Sequence, residues 1–221
     1  MSAPTILELR ALRHRYDERV LLDGLSLVLR KGEHRLVLAP SGTGKTTLIN
    51  LIAGLLTPDQ GEVHICGQCM SAATATARDQ LRRRHVGIVF QTLRLVSALT
   101  LRANLQIAQR LSGQPADDSA IEALLRAVGL ASRANAKPRR LSQGEMQRGA
   151  IARALVAKPA LLIADEPTSA LDDDNAARVA RLLLDTANAN GSTLLIATHD
   201  ARLQPFFPAA IRLGALLEAA A

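Results

Sequence analysis

The segment Ala39-Pro40-Ser41-Gly42-Thr43-Gly44-Lys45-Thr46-Thr47 directly follows the apolar run Leu36-Val37-Leu38. Two closely spaced glycines, then Lys-Thr-Thr, suit the holding of a nucleoside triphosphate with Mg²⁺. Gly42 and Gly44 let the backbone curl until successive N–H groups point at a β-phosphate. A helix starting near Lys45 adds the positive end of its dipole. Lys45 then reaches the β- and γ-phosphates, and the Thr46 hydroxyl ligates Mg²⁺. Ala39 departs from the strict pattern, which has Gly there. Its Cβ is expected to restrict the backbone and alter nucleotide affinity.

A second element complements the first. Leu161-Leu162-Ile163-Ala164 is an apolar strand that ends in two carboxylates, Asp165 and Glu166. Asp165 is placed to hold Mg²⁺ through its water shell. Glu166 is placed to polarise an attacking water as a general base.

These groups need a scaffold of alternating strands and helices. Strands are expected over 5–10 and 25–29, joined by a polar segment holding Tyr16, and over 36–38, 62–66, 86–90, 160–164 and 193–197. Helices are expected over 45–56, 143–157 and 175–189. Residues 99–130 carry Leu and Ala at helical spacing, broken near Ser112-Gly113-Gln114-Pro115, and read as a helical insert. The alternation implies an α/β fold with a mainly parallel sheet. The tail from Ala215 to Ala221 reads as a short helix end.

Composition narrows the class. The 221 residues suffice for one sizeable domain. Aromatics make up only 2%, so the core must be built of Leu, Ala, Ile and Val. No apolar run approaches the roughly 18 residues that cross a bilayer, and no secretory signal is visible. The expected location is therefore the cytoplasm, with any membrane role exerted through a partner. The net charge of +7 is spread along the chain apart from Arg82-Arg83-Arg84 and the stretch from Lys137 to Arg140. With so few aromatics to stack on bases, no nucleic-acid partner is expected. Cys66 and Cys69 have C-x-x-C spacing, with His64 and His85 as the nearby candidate ligands. Without a second Cys pair or a thioredoxin-like context, they read as two ordinary reduced thiols.

Further along, Leu141-Ser142-Gln143-Gly144-Glu145 resembles the Leu-Ser-Gly-Gly-Gln signature of ATP-binding-cassette (ABC) ATPases. Gln147-Arg148, Ala152-Arg153-Ala154-Leu155, Asp165-Glu166-Pro167-Thr168-Ser169-Ala170-Leu171-Asp172 and Thr198-His199-Asp200 extend the match in order, from about residue 5 to 213. The resemblance implies one P-loop NTPase nucleotide-binding domain over residues 1–221. It would comprise an N-terminal antiparallel β subdomain and a helical subdomain at about 92–157. Tyr16, 29 residues before Lys45, would be the adenine-stacking aromatic. Gln91 would contact Mg²⁺ or the attacking water, and its loop would couple the site to a transporter subunit. His199 would contact the γ-phosphate. Ser142, Gln143, Gly144 and Glu145 would grip ATP held by a second subunit, and Asp172 would communicate across that interface. With one phosphate loop and one signature per chain, two chains would close around two ATP molecules as a C₂ homodimer. Gln143 replaces a signature Gly and Glu145 the terminal Gln; Glu145 can also cap the following helix.

The function so implied is the ATP-hydrolysing subunit of a membrane transporter, peripheral on the inner face of the membrane and partnered by integral permease subunits. The segment from Phe90 to Leu105 resembles the lipoprotein-release and macrolide-export subgroup, which carries an acidic residue where Arg102 or Ala103 stands here. The alternative is a cassette ATPase acting on nucleic acid or ribosomes. A third reading, an inactive regulatory nucleotide-binding module, conflicts with intact Lys45, Asp165, Glu166 and His199.

Overall fold

A computed structural model describes residues 3–17, 19–169, 171–207 and 209–213. In chain order its elements are β1 (Thr5–Tyr16), β2 (Arg19–Arg30), β3 (Arg35–Leu38), α1 (Lys45–Ile52), β4 (Gln60–Ile65), β5 (Gln68–Cys69), α2 (Ala75–His85) and β6 (Val86–Val89). There follow α3 (Leu101–Leu111), α4 (Asp118–Ala127), α5 (Gln143–Leu155), β7 (Leu161–Asp165), α6 (Asp173–Asn190), β8 (Thr193–Thr198) and β9 (Ala210–Arg212). The expected helix end beyond Ala215 lies outside the described residues.

Strands β6, β7, β8, β3 and β9 form a parallel sheet in that order, and β2, β1, β4 and β5 form an antiparallel one. Successive side chains on a strand point to opposite faces, and here that alternation builds two cores. Leu162, Ala164, Leu194 and Ile196 face α3 to α6. Leu161, Ile163, Leu195 and Ala197 face the antiparallel sheet, together with Leu48, Ile49, Leu51 and Ile52 of α1. Helix α1 is thus wedged between the two sheets, which fixes the loop that feeds it.

Several boundaries differ from the sequence reading for identifiable reasons. The first hairpin is twice as long as expected, and Tyr16 ends β1 instead of sitting in a linker. Ala11 takes φ 45° where the register slips between Leu9 and Leu12, a bulge that breaks the apolar alternation before Leu12 resumes it. Helix α1 stops at Ile52 because Gly54 turns left-handed two residues later. Helix α2 was not expected at all. None of its residues is buried; it is started by the Thr74 side chain accepting from Ala77 N–H, and Arg82, Arg83, Arg84 and His85 complement its C-terminal dipole.

The helical insert resolves into α3 and α4, capped by Thr100 and Asp117. Their Leu101, Leu105, Ile121 and Leu125 join Ile151 and Leu155 of α5 in one core. Helix α5 also lies tight on the edge strand. A Cβ at Gly87 would sit 2.3 Å from the Ala154 carbonyl oxygen, so only glycine permits this approach.

Candidate functional site

The C-terminal ends of β3, β7 and β8 lie side by side, because β3 pairs with β8 and β8 with β7 in parallel register. Crevices at such strand ends are where open α/β sheets bind ligands. Each buried strand delivers one group there: the loop to Lys45, Asp165 with Glu166, and Thr198 with His199. A cavity of about 350 Å³ opens at this edge, lined by Leu21, Ser41, Gly42, Gly44, Lys45, Thr46, Thr47, Gln91, Glu166 and His199.

The loop has the shape its sequence requires. Gly42 and Gly44 take φ 79° and 92°, and Gly44 is the N-cap of α1 with no side chain over the helix end. Ala39 does not adopt a positive φ; it is buried in the core between the sheets. Its N–H donates to the Thr198 carbonyl (3.1 Å). The expected restriction by its Cβ therefore does not arise in this conformation. Pro40 is exposed; its carbonyl accepts from the Thr43 hydroxyl (2.6 Å).

The Lys45 ammonium is buried. It donates to the Ala39 and Pro40 carbonyls (2.7 and 2.8 Å) and pairs with Glu166 (3.1 Å). Glu166 is held from every side. Its carboxylate accepts from the Thr198 hydroxyl (2.7 Å) and the His199 N–H (3.3 Å), and lies 2.9 Å from His199 Nδ1. Burial alone would raise its pKa; the bonds from His199, Thr198 and Lys45 outweigh that and hold the carboxyl below its ordinary value. Its φ of 48° is left-handed, a strained backbone of the kind retained at functional sites.

Asp165 behaves oppositely. Burial, opposed by the Thr46 hydroxyl and reinforced by the Glu166 charge, pushes its pKa up. Oδ2 accepts from Thr46 (3.1 Å), while Oδ1 is buried without a partner. A buried oxygen left without a donor beside a hydroxyl and a second carboxylate is a set that suits a hard cation such as Mg²⁺. Gln91 is exposed on the same cavity wall.

Not all expected residues gather here. Tyr16 is 70% exposed at the end of the first hairpin and does not line the cavity. Ser142, Gly144 and Glu145 stand away from it at the start of α5. Gln143 instead lines a smaller pocket, about 40 Å³, shared with Gln91 and Glu166. Ser142 and Glu145 form a reciprocal capping box. Ser142 Oγ accepts from Glu145 N–H (3.2 Å), and Glu145 accepts from Ser142 N–H (2.8 Å). Glu145 also pairs with Arg133 (2.9 Å), so its charge is engaged locally. Asp172 is the N-cap of α6, accepting from Asn175 N–H at 2.9 Å.

Sequence reasoning gave no role to Leu21, which lies over the loop, or to Thr198, which orients Glu166. It also missed a polar cluster behind them. Asp200 accepts from Thr168 Oγ1 (2.6 Å) and pairs with Arg202 (2.8 Å), which reaches on to Asp173 and the Leu171 carbonyl. The cluster ties the loop after β8 to the segment after β7. Its sequence cues were Thr168 and Asp200, both inside the quoted motifs but without an assigned role. The Arg202 guanidinium, against the opposing effect of burial and with help from Thr168, lowers the Asp200 pKa to about 2. A depressed carboxyl stabilises the fold above its unfolded pKa of about 4, and that stability is lost as pH falls toward the folded value. Denaturant midpoints should therefore drop between about pH 4 and 2 in the wild type. In Asp200→Asn the midpoint should start lower at neutral pH, and its deficit should shrink through that window.

A family model described as "ABC transporter" matches residues 22–169. The chain is 40% identical over 209 residues to the lipoprotein-releasing system ATP-binding protein LolD of Pseudomonas fluorescens, covering 92% of each. It is 41% identical over 201 residues to the methionine import ATP-binding protein MetN of Mesorhizobium japonicum, of which it spans 55%. Among solved structures, a dimeric ATP-binding cassette in a post-hydrolysis state, bound to ADP and Pi, superposes with a TM-score of 0.83 at 30% identity over 94% of each chain.

Proposed function

The chain is an ATPase of the ABC transporter family, and on that premise we propose that it energises a lipoprotein-release or export type transporter from the cytoplasmic face of the membrane. The observation that carries the reading is Glu166, which is held by Thr198 and His199 in the cavity that also contains Lys45 and Thr46. Residues 1–221 serve as one nucleotide-binding domain, with about 92–157 as its helical subdomain.

In the proposed reaction, ATP phosphates enter along the loop N–H groups and draw Lys45 away from Glu166. The freed carboxylate takes a proton from water as its oxygen attacks the γ-phosphorus and the bond to ADP breaks. His199 keeps Glu166 aimed and donates toward the γ-phosphate. Thr46 and Asp165, with Gln91 beside them, would hold Mg²⁺; when bound it offsets phosphate charge. Tyr16, exposed at the end of the first hairpin, would stack on the adenine ring. The start of α5 would present its N–H groups, the Ser142 hydroxyl and Gly144 to the ATP of a second copy, and Asp172 would communicate across that interface. The homodimer therefore closes on two nucleotides.

The permease would dock along edge strand β6, in a groove of about 250 Å³. Leu55, Phe90 and Leu111 supply its apolar wall and Arg82, Arg83 and Arg153 its charge. Arg153 is pushed below its ordinary pKa by burial and by Arg94, and its guanidinium donates to the Arg94 carbonyl. Among the described residues no helix is long and apolar enough to cross a membrane.

The test is a pull-down from detergent-solubilised membranes with Glu166→Gln protein, ATP and Mg²⁺. Recovery of a permease with a large extracytoplasmic domain is expected. Recovery of ribosomes or DNA without a membrane protein would overturn the reading in favour of the soluble class.

A further inference from the structure

We propose that the β4–β5 hairpin binds Zn²⁺ through Glu62, His64 and Cys69, at a site separate from the nucleotide cavity. Glu62 and His64 are two apart on β4 and so share a face, and His64 is the direct cross-strand partner of Cys69 on β5. Their ligand atoms all lie within 4.8 Å of one another, and the His64 ring nitrogen Nε2 is 2.8 Å from Glu62 Oε2. Thiolate, imidazole and carboxylate together are a donor set for Zn²⁺, and three protein ligands leave a fourth position for water.

The surroundings hold this arrangement. Cys66 and Gly67 both take positive φ (49° and 78°) in the tight turn between the strands, which fixes the register. Ser71 Oγ accepts from Val63 N–H (3.1 Å) and lies 3.5 Å from Cys69 Sγ, so its own proton is free to point at the sulfur. The other thiol is excluded: Cys66 packs against the core between the sheets, and burial raises its pKa. His85, at the end of α2, is not part of the cluster. The opposing charge is Arg10, 3.4 Å from Glu62. It is held more closely by Glu8, at 2.9 and 3.1 Å, so Glu62 can turn to a cation without leaving Arg10 unpaired. The hairpin belongs to the antiparallel sheet, whereas the phosphate loop follows a strand of the parallel one.

The experiment is a Co²⁺ titration of the reduced, chelator-treated protein, read by sulfur-to-metal charge-transfer absorption and reversed with Zn²⁺. A cation held at Thr46 and Asp165 has only oxygen ligands and gives no such band. The band should appear in the wild type and in Cys66→Ser, vanish in Cys69→Ser, and require at least about tenfold more Co²⁺ in His64→Gln. Zn²⁺ should also slow alkylation of Cys69 in the wild type, a readout that needs no variant to fold. Absence of the band with unprotected Cys69, or its loss in Cys66→Ser rather than Cys69→Ser, overturns the proposal.

Discussion

Exchanging Glu166 for Gln is expected to lower the steady-state rate of phosphate release by about two to four orders of magnitude, the usual worth of a positioned general base. Nucleotide affinity should change little. The amide keeps the shape of the carboxylate and can still accept from the Thr198 hydroxyl and the His199 N–H. It cannot take a proton from water. It also no longer holds the Lys45 ammonium by charge, and that contact competes with the phosphates in the nucleotide-free protein. The variant should therefore bind ATP at least as tightly as the wild type while failing to turn it over. Calorimetric titration and a phosphate-release assay separate the two quantities. Wild-type turnover in Glu166→Gln would remove Glu166 from the role proposed for it.

Lys45→Ala is expected to act in the opposite order, on binding first. A hydrogen bond to a charged group contributes about 1.5–3 kcal/mol, so ATP affinity should fall roughly 10- to 150-fold. The same change strands Glu166, which is 8% exposed, without its cation. Removing one partner of a buried ion pair costs about 3–5 kcal/mol. Bonds from Thr198 and His199 remain, which puts the expected loss at the lower end. Chemical denaturation of the two single variants and the double variant Lys45→Ala/Glu166→Gln closes a thermodynamic cycle. The double variant should recover much of the stability lost by Lys45→Ala alone, because its neutral amide needs no cation. A double variant as unstable as the sum of the singles would show that the pair does not interact.

What could be read from the sequence was what sits on buried strands. Leu36 to Leu38, Leu161 to Ala164 and Thr193 to Ala197 are short apolar runs, and each ends at a residue with chemistry, so strand and site were legible together. Elements without an apolar face were not. Helix α2 buries nothing, and only its Thr74 cap and basic last turn mark it. The full length of the first hairpin is not legible because one bulged residue, Ala11, inverts the alternation. The support around Glu166 was hidden for a different reason. Thr168, Asp200 and Arg202 meet only after the chain has crossed the sheet, and no local pattern encodes a contact over 32 residues. The capping role of Glu145 was visible, because Ser-x-x-Glu before a helix carries its own short-range geometry.

The close seat of α5 on Gly87 has a mechanical corollary. The helix touches the edge strand at Ala154, beside the groove assigned to the permease, and ends at Ser142, which is assigned to the partner's nucleotide. Twelve residues at 1.5 Å rise separate these points by roughly 18 Å. With the glycine contact as fulcrum, a tilt of about 5° at the groove swings the Ser142 end by roughly 1.6 Å, over half the length of a hydrogen bond. One rigid helix thus joins the groove wall to the Ser142 end, seated where only glycine leaves room.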